Sequence, residues 1–189
     1  MTDEVFNRII VEFDEIIKNK AKKAHHVTVK MNDDHNFDAS FTGSNGREFQ
    51  VYSDNSAIRA RFGYGDDSFV VKLYSHHESH RVIGYLHALT SDRNNGRSVS
   101  FKDMTHKYKI TKKRLAKNNH EPLYAVDCVG HEWRENGKHE VKYRVEVTQE
   151  DLKTLLDCMT KALHWSLDWQ IRDCVRSKTE GWQAERMFR

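Results

Sequence analysis

The chain has 189 residues, with 31% charged and 38% hydrophobic side chains, and its 31 basic and 28 acidic residues leave a net charge of only +3. That is enough apolar material for one packed domain, and a charge so close to balance does not by itself demand an anionic partner. No window reaches the ~18 apolar residues of a membrane helix, and the opening Met1-Thr2-Asp3-Glu4 is acidic where a targeting peptide is basic. Cys128, Cys158 and Cys174 are far apart and form no C-x-x-C pair, so neither a disulfide framework nor a thiolate metal knuckle is indicated. A soluble, cytoplasmic protein is expected.

From the N-terminus, Phe6, Ile9, Ile10, Phe13, Ile16 and Ile17 recur at steps of three and four, which predicts an amphipathic helix over 3–24. At His26 the period changes to two. Val27, Val29 and Met31, then Phe37, Ala39 and Phe41, alternate with polar residues, and Gly43-Ser44-Asn45-Gly46 turns the chain into Phe49 and Val51. Further strands are expected at 58–62, 69–74, 81–89, 98–101 and 105–110, the last with Met104, His106, Tyr108 and Ile110 turned inward and Lys107 and Lys109 outward.

Glu135-Asn136-Gly137-Lys138 is the sharpest local signal, because Asn-Gly suits a two-residue type I′ turn with Glu135 opposite Lys138. That register sets Val126 against Val147 and Cys128 against Val145 on an apolar face. The other face carries Asp127, His131, Glu140, Lys142, Arg144 and Glu146. Thr148-x-x-Asp151 then resembles a capping box, and Leu152, Leu155, Leu156, Met159, Leu163, Leu167 and Ile171 predict a long last helix ending near Val175. The expected architecture is α+β: an N-terminal helix, one large curved antiparallel sheet of about seven to nine strands, and a long C-terminal helix packed on it. Residues 1–176 form a single domain and 177–189 a tail, either a short helix or a segment ordered by a partner.

Charge is distributed unevenly. Between Arg97 and His120 eight basic side chains face the single acid Asp103, a local +7 inside a total of +3. Lys102, Lys107, Lys109, Lys112, Lys113, Arg114 and Lys117 are therefore the candidate binding surface, able to neutralise phosphates or to meet an acidic protein. Trp165, Trp169 and Trp182 form a second candidate surface, since Trp165 and Trp169 flank the last helix and widen its apolar arc. A homodimer through this helix is one use of that arc.

Catalytic signals are weak. His76-His77-Glu78-Ser79-His80 would place His76 and His80 on one face if helical, a spacing suited to two metal ligands, but the flanking sequence reads as strand, turn, strand. Asp127 with Glu140-Val141-Lys142 resembles the D…(D/E)-x-K pattern of the PD-(D/E)xK nucleases, whose acids hold a divalent metal. The preceding proline is missing, and the expected register separates the two acids by six residues, about 20 Å. No cofactor motif occurs. The leading expectation is a non-catalytic protein-interaction factor, of the kind by which phage or mobile elements bind or inhibit host machinery. Nucleic-acid binding through 97–120 is the alternative, and a metal-dependent nuclease-like hydrolase the second.

Overall fold

The structure, a computed structural model, describes residues 25–31, 36–54, 57–63, 68–91, 96–113 and 122–187. The helix expected over 3–24 lies outside them. Among the described residues, nine antiparallel strands and two helices form an α+β fold. Strands β1 (Thr28–Met31), β2 (Phe37–Thr42), β3 (Glu48–Asp54), β4 (Ala57–Phe62) and β5 (Phe69–Leu73) lie side by side in chain order. Their alternation buries one face. Phe41, Phe49, Phe62 and Phe69 are successive cross-strand partners, with ring centroids 4.9, 5.9 and 5.1 Å apart. Aromatic pairs of this kind add about 0.5–1.5 kcal/mol each beyond the area they bury. Gly46, at φ 78°, supplies the left-handed residue that the β2–β3 turn requires.

The second sheet has four strands, β6 (Ser98–Lys102), β7 (His106–Lys112), β8 (Leu123–Arg134) and β9 (Gly137–Thr148), again in chain order. About seven to nine strands were expected in one curved sheet, and the strands are divided between two. The cause is the segment 81–89, which is not a strand but part of helix α1 (His76–Ser91). Ser79, Val82, Ile83, Leu86, Leu89 and Thr90 are buried, a 3.6-residue period that the apolar clustering of this stretch masks. Ser75 caps the helix by accepting the Glu78 amide at 3.1 Å, so Ser75-x-x-Glu78 is a capping-box signal at its start.

The inner face of the second sheet meets the edge of the first. The Phe69 and Tyr143 rings are 6.1 Å apart, which carries the phenylalanine ladder from β5 onto β9. The Tyr108 hydroxyl lies 3.1 Å from the Val70 carbonyl. Helix α2 (Gln149–Met187) packs across β2, β3 and β4 on one side and against α1 on the other. Two contact surfaces explain its wide apolar arc, in which Leu152, Leu155, Leu156, Cys158, Met159, Ala162 and Leu163 are all buried. Expected to stop near Val175, the helix runs on to Met187 and takes in most of the tail.

At the start of α2, Thr148 Oγ1 accepts the Asp151 amide at 3.1 Å, as the capping signal predicts. The fully buried Asp151 carboxylate in turn accepts the Ser44 amide at 2.9 Å and the Ser44 hydroxyl at 3.1 Å, and His25 Nε2 lies 2.7 Å away. One side chain thus fixes the β2–β3 turn to the helix. Among the described residues no helix is long and apolar enough to cross a membrane.

The β8–β9 register differs from the expectation by two residues. Arg134 pairs with Gly137, so Val126 faces Val145, Cys128 faces Tyr143 and Asp127 faces Arg144. A two-residue slip keeps every side chain on its own face, so hydrophobic patterning cannot detect it. The polar face decides. The expected register opposes Asp127 to Glu146, whereas the observed one opposes Asp127 to Arg144, and like charges directly opposite are unfavourable.

Candidate functional site

The β6–β7 hairpin is built around Asp103. Its Oδ1 accepts the Thr105 amide at 2.8 Å, the His106 amide at 2.7 Å and the Thr105 hydroxyl at 3.2 Å, while Oδ2 accepts the Tyr108 hydroxyl at 2.7 Å. Burial alone would raise the Asp103 pKa, but the Tyr108 hydrogen bond, the two amides and the neighbouring His106 outweigh it and hold the carboxyl below its ordinary value. Burial, and then the same carboxylate, push the Tyr108 phenol far up. The side chain of Asp103 is fully buried. The only acid of the basic block therefore builds the turn from inside and offsets nothing on the surface.

With the turn fixed, alternation along the strands sorts the block into two faces. Tyr108 and Ile110 point inward and Lys107 and Lys109 are exposed, as expected, whereas Lys112 points inward against the expectation. Met104, expected inward, is 89% exposed, because residues 103–105 form the turn ahead of β7 and fall outside its alternation. Lys102 is the direct partner of Lys107, Lys107 of Val129, and Val129 of Lys142. The next row reads Ser100, Lys109, Asp127, Arg144. Five cations thus share one open sheet face. Strands lie ~4.8 Å apart and same-face neighbours ~6.8 Å apart along a strand. A shallow concavity of about 560 Å³ opens there, lined by Ser100, Phe101, Lys102, Lys107, Tyr108, Lys109, Asp127 and Val129.

Two of the five are paired at its edge. Lys142 Nζ lies 2.6 Å from Glu140, and this hydrogen bond lowers the Glu140 pKa and raises that of Lys142. Arg144 Nε lies 3.5 Å from Asp127. Lys102, Lys107 and Lys109 have no ion-pair partner among the described residues. Lys113 is engaged by Glu146. Lys112 is only 5% exposed and belongs to the interior side of β7, so it is not part of the surface it was assigned to. Arg114 and Lys117 lie outside the described residues. The sequence places Lys142 and Arg144 on the polar face of the hairpin but not beside the basic block, since only the β7–β8 pairing brings β9 next to it.

The other candidates take different places. His76 Nε2 is 2.9 Å from the Ser166 hydroxyl, and His87 Nε2 is 3.4 Å from that of Thr160, so these histidines tie α1 to α2. His80 is exposed. No group of three potential metal-ligating side chains occurs among the described residues. Asp127 and Glu140 are four residues apart in the observed register, about 14 Å, too far to share a metal, and each is held by its own cation. Trp165 packs half-buried against the core. The side chains of Trp169 and Trp182 lie outside the described residues. Cys128 faces the core as expected, where burial and then the nearby Asp103 push its thiol up to about 12. No protein-family model matches the chain, and no curated protein is significantly similar to it.

Proposed function

We propose that the protein binds nucleic acid, through backbone phosphates, on the outer face of the β6–β9 sheet. The observation that carries this reading is the cross-strand row Lys102, Lys107 and Lys142 with Lys109 beside it, three of these four making no ion pair among the described residues. Lysine is depleted in protein–protein interfaces, where aromatic side chains and arginine carry the energy, whereas lysine ammonium groups are common phosphate ligands. This favours phosphate over the acidic protein surface that a host-directed inhibitor would contact with the same residues. Lysine point charges on a flat sheet offer no donor–acceptor pattern to a base edge, so binding is independent of sequence. A cytoplasmic location suits such a ligand.

The test is the affinity of a labelled oligonucleotide as a function of salt. A face that neutralises about three to five phosphates gives a log–log slope of roughly −2 to −4. No binding at low salt rejects the reading and leaves an acidic protein as the occupant of the face.

A further inference from the structure

The β8–β9 hairpin is longer than the sheet it completes. β7 pairs with β8 only as far as Gly130, opposite His106, so 131–134 and 137–140 continue as a two-stranded ribbon with no third strand among the described residues. Near its tip stands Trp133, paired with Lys138 and 80% exposed. An indole left in water forgoes one of the largest burial gains any side chain offers, and such amphipathic anchors concentrate where a ligand covers them.

Its direction is set by the strand. Val129, Asp127 and Trp133 are all odd-numbered on β8, so Trp133 projects from the face that carries Lys107 and Lys109, and its partner Lys138 shares that face with Lys142 and Arg144. From Val129, which continues the Lys102–Lys107 row, Trp133 is four residues along β8, about 14 Å. Phosphate ligands and a stacking surface therefore lie on one continuous face, a few nucleotides from end to end.

We infer that this face is a site for single-stranded nucleic acid, in which the lysines hold the backbone and the Trp133 indole stacks on an unpaired base. The inference rests on the reading above and narrows it to one class of ligand. A cationic face alone attracts duplex and single strand alike, but only an unpaired base offers its π-face to a side chain, and it does so whatever its identity. The ribbon carries Trp133 out beyond the three-stranded part of the sheet, where most of the side chain is open to a base.

The experiment compares a labelled oligo(dT) with a blunt duplex by fluorescence anisotropy, for the wild type, Trp133→Ala, Trp133→Phe and the double variant Lys107→Glu/Lys109→Glu, with circular dichroism to verify that each is folded. Trp133→Ala is expected to weaken oligo(dT) binding about 5- to 100-fold, with an unchanged salt slope and unchanged duplex affinity, and Trp133→Phe to recover most of the loss. If Trp133→Ala binds oligo(dT) as tightly as the wild type while the lysine variant loses both ligands, stacking is overturned and the phosphate reading stands. A wild type that binds neither oligonucleotide at low salt overturns both.

Discussion

Lys102 and Lys107 are direct cross-strand partners on the open face of the β6–β7 hairpin, both exposed and neither in an ion pair among the described residues. Two like charges in directly opposed positions destabilise an antiparallel pair by roughly 0.2–1 kcal/mol. A polyanion laid across the face turns that repulsion into attraction for both.

Replacing Lys107 by Thr removes the repulsion and supplies a better strand former. Thermal unfolding of Lys107→Thr is expected to shift upward by up to about 3 °C, while its affinity for an oligonucleotide falls. A variant that loses stability and binding together would show that Lys107 supports the fold.

Asp103 makes the hairpin sensitive to acid. Its folded pKa is lowered from the ordinary 3.8, so its contribution is complete above that value and is lost as pH falls through the folded pKa. Urea unfolding at pH 7 should find Asp103→Asn less stable than the wild type, with the gap closing below about pH 4. A gap of constant size would mean that the carboxylate charge is not what holds Thr105, His106 and Tyr108.

Asp151 joins the β2–β3 turn to α2 through the Ser44 amide and hydroxyl, beside His25. Asp151→Ala removes the charged acceptor shared by both Ser44 donors, and a loss of about 2 kcal/mol in chemical denaturation is expected. Ser44→Ala removes the hydroxyl alone and should cost about 1 kcal/mol.

Burial pushes the Cys128 thiol up to about 12 and that of Cys158 up to about 11. Both are expected to resist a thiol reagent at neutral pH and to react only in denaturant, which peptide mapping reads residue by residue. Rapid labelling of Cys128 in the native protein would show that the β8 core opens on its own.

The strands were legible wherever alternation was clean. Phe37-Ala39-Phe41 and Phe49-Val51 already carry half of the phenylalanine ladder. The helix α1 was hidden because Val82 and Ile83 are adjacent and Gly84-Tyr85 interrupts the pattern, although the Ser75–Glu78 cap marks its start. With that helix unrecognised, one sheet was expected in place of two. The hairpin register matches the charge pair Asp127–Arg144, a cross-strand relationship that turn chemistry at Asn136-Gly137 does not encode. The lysine face was half visible. Lys107 and Lys109 follow from alternation, Lys112 drops out because the same alternation turns it inward, and Lys142 and Arg144 join only through the β7–β8 pairing.

The most direct measurement is the salt dependence of oligonucleotide affinity for the wild type and for the variant in which Lys102, Lys107 and Lys109 are all changed to Gln. The account predicts a steep loss of affinity with salt in the wild type, and in the triple variant weaker binding with a log–log slope shallower by about 2–3. Equal affinity and equal slope in the two proteins would contradict it.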